Sequence, residues 1–339
     1  MKKLHKYLLN NFLKTFISLI ALFSLVVVSS QLLNLPSSMY RSGFLGFLKA
    51  LLLINFSFFK IELLFAFLIA SMLTTFMLKE KREIYAIYST GISKSQLMKP
   101  FILVTAGMSI FALITSLFLV PWANRERSKF FTLSVKEHFL ESIQKKNFFE
   151  LTKGITIYVH NKEDNRVDKI FIYNRDTGQA ISAKEGLFEG TGLIMKNGYI
   201  QIPEKKNFSL LKFKKYSLNF NVDYVKKYSI TYYKNSVLWK IYKTKAKEYR
   251  RALSILVDRF TFIIPFMFMG ILGFYMGLSH IQGKDYLIGL SVVILIVYMV
   301  INFLFLKLIE KNGLHPAIYV AVVFAYFSFV TNYFRKRSL

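Results

Sequence analysis

The fold class this sequence predicts is a membrane protein of six transmembrane α-helices with an inserted all-β, jelly-roll-like periplasmic domain. Three observations predict it. Apolar residues make up 54% of the 339 positions and are gathered into runs long enough to cross a hydrocarbon core. Between the third and fourth runs the pattern changes to short alternating stretches separated by turn chemistry. With six spans, the basic start, one basic internal loop and the basic tail all fall on one side, as the positive-inside rule asks of a cytoplasmic face.

Met1–Lys14 is basic and helix-compatible, a cytoplasmic lead-in to a first span at Phe16–Leu33. Ser29-Ser30-Gln31 is a poor cleavage site, so that run reads as retained. Leu35–Gly43 has turn chemistry and belongs outside. Phe44–Leu78 is too long for one perpendicular helix and is interrupted by Lys60 and Glu62. It reads as a helix in the outer interface, Phe44–Phe59, followed by a second span, Leu63–Leu78. Lys60 and Glu62 are then interfacial, with a contact to a lipid headgroup as the alternative.

Lys79–Lys99 is a charged island with five basic residues (Lys79, Lys81, Arg82, Lys94, Lys99) and two acidic ones, Glu80 and Glu83. Glu83–Tyr88 suits a short helix with Ile84, Ile87 and Tyr88 along one side. Ser89-Thr90-Gly91 breaks it, and Ser93 with Gln96 reads as a capping box opening the next helix, which Pro100 should kink. The plain reading is a loop held inside by its charge; the sharper one is a docking wedge for a cytoplasmic partner. The third span is Phe101–Val120, ending at Pro121-Trp122.

Asn124–Lys146 begins polar and helical. Strands are expected at Ile155–Val159, Lys169–Tyr173, Gly192–Met195, Tyr199–Ile202 and Phe208–Phe213. Lys196-Asn197-Gly198 reads as a hairpin turn between two of them. Asn235–Arg251 is a basic helical re-entry segment, and Phe260–Leu278, Tyr286–Phe305 and Ala317–Tyr333 complete the spans before Arg335-Lys336-Arg337. The domains are therefore 1–121 (three spans and the island), 122–250 (the β domain) and 251–339 (three spans).

A net charge of +27 could mean nucleic acid, but in a chain this apolar it more simply faces anionic lipid. There are no cysteines, so disulfides and thiolate metal sites are excluded. No phosphate-binding loop of the GxxxxGK[ST] form occurs, and the five histidines have no metal-ligand spacing. Asp258-Arg259 reads as a structural ion pair at the start of the fourth span. No catalytic or metal-binding residue stands out, and no Ser–Lys dyad is singled out.

Arg82-Glu83-Ile84, Ala86, Thr90-Gly91-Ile92-Ser93 and Pro100 follow the form E[LI]xAxxxxGxS…P. With Glu248-Tyr-Arg-Arg251, and with Gly283-Lys284, Gly289 and Tyr298, they make the chain resemble the lipopolysaccharide export permease family, LptF and LptG, over essentially its whole length. It departs from that family in Tyr249, where a His is usual, in lacking Trp-x-Pro-Asn in the last span, and in a first span without a basic residue. Phe188-Glu189-Gly190 and Phe213–Phe220 resemble LptF more than LptG.

The resemblance implies a non-catalytic half-transporter of the bacterial inner membrane, multi-pass, with both termini cytoplasmic. Its implied partners are an LptB-like ABC ATPase dimer, a paralogous permease, LptC/LptA-like periplasmic jelly-roll proteins and lipopolysaccharide; no nucleic acid is implied. No cofactor binds this chain, and ATP belongs to the ATPase. Glu83, Ile84, Ala86, Ile87, Tyr88 and Gly91 are the implied coupling residues. Arg41, Lys60 and Arg251 are candidates for lipid phosphates. The competing readings are another ABC-type lipid or lipoprotein permease, whose large domain usually follows the first span, a membrane enzyme modifying lipid or glycan, which would need a cluster of polar residues facing one side, and a membrane lipid-binding protein that does not transport.

Overall fold

The computed structural model describes residues 2–33, 35, 40, 43–137, 145–152, 154–163, 165–189, 192–203, 208–219, 230–245, 248–281 and 283–338. The chain divides into two compact units: Met1–Asn34 with Leu51–Arg127 and Tyr228–Leu339, and Leu35–Ala50 with Ser128–Lys227. Among the described residues, six helices are long and apolar enough to cross a membrane.

In the helical unit α1 runs Lys2–Leu32. The helix α2 runs Gly43–Glu80 without interruption, 38 residues, in place of the interfacial helix and separate span expected from Lys60 and Glu62. The polar residues do not break it because protein groups satisfy them. Glu62 is buried and accepts from Ser24 Oγ at 2.7 Å and Asn55 Nδ2 at 3.3 Å, while Lys60 Nζ meets Asp258 Oδ2 at 2.6 Å. Two short turns later, α3 (Glu83–Ser89) and α4 (Lys94–Ile114) follow, the latter opened by the Ser93–Gln96 capping box and continuing through Pro100.

The third span does not end at Pro121-Trp122. A π turn at Thr115–Leu119 joins α4 to α5, Val120–Glu137. The proline explains the turn. In a regular helix its ring would collide with the carbonyl four residues back, Leu117, and could offer that carbonyl no N–H. The wider turn makes room, and the orphaned Leu117 carbonyl accepts instead from Asn235 Nδ2 at 2.9 Å.

After the β unit come α6 (Asn235–Lys243), α7 (Tyr249–Thr261), α8 (Ile263–Gly277), α9 (Lys284–Asn312) and α10 (Pro316–Arg337). The expected helix Asn235–Arg251 is thus two pieces, separated near Lys245 at φ 47°. The helix α8 packs parallel to α2 at very close range. A Cβ on Gly273 would sit 2.5 Å from Ser71 Cβ, and one on Gly277 2.0 Å from Thr75 Oγ1, so only glycine admits this approach. Around it Phe67, Phe266, Met72, Phe274, Tyr298, Tyr319 and Phe327 are fully or almost fully buried.

The β unit is one antiparallel sheet of six strands in chain order: β1 Phe148–Thr152, β2 Ile155–Glu163, β3 Arg166–Asn174, β4 Ala180–Glu189, β5 Gly192–Pro203 and β6 Phe208–Asn219. Ile157, Val159, Ile170, Ile172, Ile181, Phe188, Leu193 and Met195 form its core. The described strands make a single meander. The expected hairpin at Lys196–Gly198 is absent. Gly192–Met195 and Tyr199–Ile202 are one strand, β5, because both segments pair with β4 on one side and β6 on the other. Asn197 takes φ 55° within it, and a Cβ on Gly198 would lie 2.2 Å from the Ser182 carbonyl oxygen, so the Asn-Gly pair is used for an in-strand irregularity.

Candidate functional site

The charged island closes one end of the helical unit. Lys79 Nζ donates to the carbonyls of Ser279 at 2.6 Å and Ile281 at 2.7 Å, just past α8, and lies over the Phe76 ring. Lys94 Nζ donates to the Ser338 carbonyl at 3.2 Å and to its hydroxyl. Ser279 bridges to Ser338, and the His280 N–H donates to the Arg337 carbonyl at 3.3 Å. Tyr7, from the start of α1, donates to Glu83 Oε2 at 3.0 Å. The two lysines are therefore clamps on the ends of α8 and α10, a role that the count of positive charges did not reveal. Tyr7 in the first helix and Ser338 after the last thus both lie at the end that carries the island.

The short helix α3 is seated between these clamps. Arg82 turns into it with φ 59° and Gly91 leaves at φ 79°, where any side chain would be strained although the space around it is open. Ile84 is completely buried, and Ile87 and Tyr88 pack on the core of the spans. The apolar side read from the sequence thus exists, but it faces inward and fixes the helix to the bundle. Tyr85, 54% exposed, and Ala86 form the free side. Burial raises the pKa of Tyr88, and its hydroxyl is buried without a hydrogen-bond partner.

A second polar set lies at the other end of the parallel pair α2 and α7–α8. Lys60 precedes Lys79 by nineteen residues, about 28 Å of helix, close to the thickness of a hydrocarbon core. Asp258 Oδ2 holds Lys60, its Oδ1 accepts from Asn302 Nδ2 at 3.3 Å, and Asn302 Oδ1 accepts from Tyr319 OH at 2.7 Å. One network thus joins α2, α7, α9 and α10. Arg259 is not the partner of Asp258. Its guanidinium donates to the carbonyls of Thr231 at 2.6 Å and Tyr233 at 3.0 Å and to Asn235 Oδ1 at 2.5 Å. Lys60, Asp258, Arg259 and the buried, unpartnered Ser116 hydroxyl line a cavity of 290 Å³.

Arg251 lies near the start of α7, two turns before Asp258, its side chain 45% exposed and 3.7 Å from Glu310, and the neighbouring Arg250 donates to the Lys311 carbonyl at the end of α9. Arg41 lies outside the described residues. The structure thus gathers Glu83, Ile84, Ala86, Ile87 and Tyr88 into one helix with Gly91 in the turn that follows it, and leaves Lys60 and Arg251 in separate ion pairs.

Six candidate spans, an antiparallel sheet inserted between the third and fourth, and a clamped charged helix at one end define a polytopic membrane protein of permease architecture. The chain belongs to the lipopolysaccharide export system permease LptF/LptG family, whose model matches residues 6–337, nearly its whole length. That model covers both paralogues. Among the curated proteins none matches the chain.

Proposed function

We propose that this chain is the membrane-spanning half of an ABC exporter that extracts lipopolysaccharide from the inner membrane and hands it to a periplasmic bridge. In this reading a paralogous permease completes the lipid path, and an LptB-like ATPase dimer binds and hydrolyses the ATP. LptC/LptA-like jelly-roll proteins accept the lipid from the β unit, and both termini lie in the cytoplasm. The observation that carries the reading is α3. A seven-residue helix anchored by Ile84 inside the bundle, with Tyr85 and Ala86 outside, can transmit a push on its free face directly to α2 and α4. Lys79 and Lys94 extend that connection to α8 and α10. Glu83, half-exposed beside Tyr7, supplies a carboxylate at the rim of the docking face.

Of the two described cations expected to meet phosphates, Arg251 is the more accessible, whereas Lys60 would reach a phosphate only by leaving Asp258. The absence of native cysteines makes a direct test simple. Single cysteines at Tyr85 and Ala86, crosslinked in membranes, should trap an ABC ATPase, and Glu83→Ala should weaken the trap. A correctly inserted protein that traps no ATPase from either position would refute the docking role and return the lipid-binding reading.

A further inference from the structure

Another cavity in the helical unit belongs to neither polar set. It has a volume of 720 Å³, within the range of cavities that hold small organic ligands. Its apolar wall is the outer side of the π turn, with Ile114, Leu117 and Phe118, then Trp122. Its cations are Arg125 and Lys234. Arg125 follows Leu117 by eight residues, about 12 Å along a helix, so the lining passes from hydrocarbon to charge over a short distance along the membrane normal. Trp122, half exposed at that transition, is the residue type that settles at headgroup depth.

The flanking helix has the same character. On α6, Val237 and Trp239 are exposed beside Lys240 and Lys243, Leu238 is buried, and Lys243 Nζ lies 5.7 Å from the centre of the Trp239 ring. An amphipathic helix with basic residues and an exposed Trp suits a position in the plane of an interface containing anionic lipid.

We propose that this cavity binds one molecule of an anionic glycerophospholipid, one of its two acyl chains along Ile114, Leu117 and Phe118, the other left in the bilayer, and its phosphate between Arg125 and Lys234. The ligand is a resident lipid and not the cargo. Lipopolysaccharide carries many acyl chains and more than one phosphate, whereas one chain beneath one phosphate, the second chain staying in the bilayer, matches an apolar wall with two cations at its rim. The site is consequential because Asn235, which also lines it, holds the Leu117 carbonyl and the Arg259 guanidinium. A lipid seated there braces the π turn from the outside. The inference uses none of the residues assigned to ATPase coupling and does not rest on the export reading.

The test is native mass spectrometry of the full chain in detergent, titrated with dioleoyl-phosphatidylglycerol or dioleoyl-phosphatidylcholine. The unaltered protein should retain one phosphatidylglycerol in preference to phosphatidylcholine. Arg125→Gln and Lys234→Gln should each lower that preference about fivefold, and the pair should abolish it. Leu119→Trp, which adds bulk to the lining, should remove the bound lipid whatever its headgroup, with an unchanged elution volume showing that the variant is folded. Equal retention of the two lipids by the unaltered protein would overturn the proposal, as would full retention of phosphatidylglycerol in all the variants. Displacement of phosphatidylglycerol by equimolar lipopolysaccharide would assign the cavity to the cargo and overturn it equally.

Discussion

Pro121 illustrates how one residue organises its surroundings. It removes an N–H from within a continuous helix, the helix widens around it, and the freed Leu117 carbonyl is met by Asn235, whose own oxygen holds Arg259. Asn235→Leu should therefore lower stability by about 1–3 kcal/mol, the cost of leaving buried polar groups unpaired. Part of that cost should vanish in a Pro121→Ala background, where residue 121 regains the N–H that a regular helix would give to Leu117. Thermal unfolding of the four proteins in detergent measures the coupling, and strict additivity of the two substitutions would contradict this account. Lys60 and Asp258 make a second case. Lys60→Met alone leaves the half-buried Asp258 carboxylate without its ion-pair partner and should cost about 1–3 kcal/mol, and Lys60→Met with Asp258→Asn should cost clearly less. The same unfolding assay reads both, and a double variant worse than either single one would contradict it.

At the scale of elements, the tight pair is α2 with α8. Gly273 and Gly277 place α8 against Ser71, Met72 and Thr75 with no room for a side chain. Gly277→Leu should separate the helices and reduce the yield of monodisperse protein severely, since overpacking of this kind costs about 1–3 kcal/mol or more. Gly289→Ala is the control, because nothing lies near a Cβ at that position. Size-exclusion chromatography after extraction distinguishes the two, and normal behaviour of Gly277→Leu would mean that α2 and α8 can move apart freely. For α3, the buried face and the exposed face have different duties. Ile84→Ala should loosen the helix from the bundle, and Tyr85→Ala should leave stability within about 0.5 kcal/mol of the parent, as an exposed change does.

At the scale of the whole molecule, the clamps put the island, Tyr7 and Ser338 at one end of the helical unit. Lys311, at the far end of the 29-residue α9, lies about 40 Å of helix away from its start near the island. Single cysteines at Lys3, Ala86 and Lys336 should accordingly be labelled from the same side of sealed vesicles, and one at Lys311 from the other. Labelling of Lys3 and Lys336 from opposite sides would break the six-span arrangement.

Apolar run length and charge made most of this legible. Runs such as Phe101–Val120 and Tyr286–Phe305 can satisfy their backbone only as helices in a hydrocarbon core, so their number and type follow from composition alone. The Ser93–Gln96 cap was legible for the same local reason, since its two hydrogen bonds lie within four residues. The β4 strand was harder to see because Lys184 and Glu185 interrupt its apolar pattern, and its strand character comes from pairing with β3 and β5. Asn197-Gly198 carries a turn signal that two neighbouring strands override.

The sequence by itself determined that the chain spans a membrane, that a β unit is inserted after the third apolar run, and that a charged helix stands between the second and third. Each of these rests on local period, length and charge. Only the tertiary structure decided the partners. Lys60 meets Asp258, Lys79 meets the Ser279 and Ile281 carbonyls, Arg259 turns to Asn235, and the apolar side of α3 points inward. Such pairings join residues up to about two hundred positions apart in the chain. They arise because a polar group in an apolar bundle must find whichever complementary group the packing of the helices brings within reach.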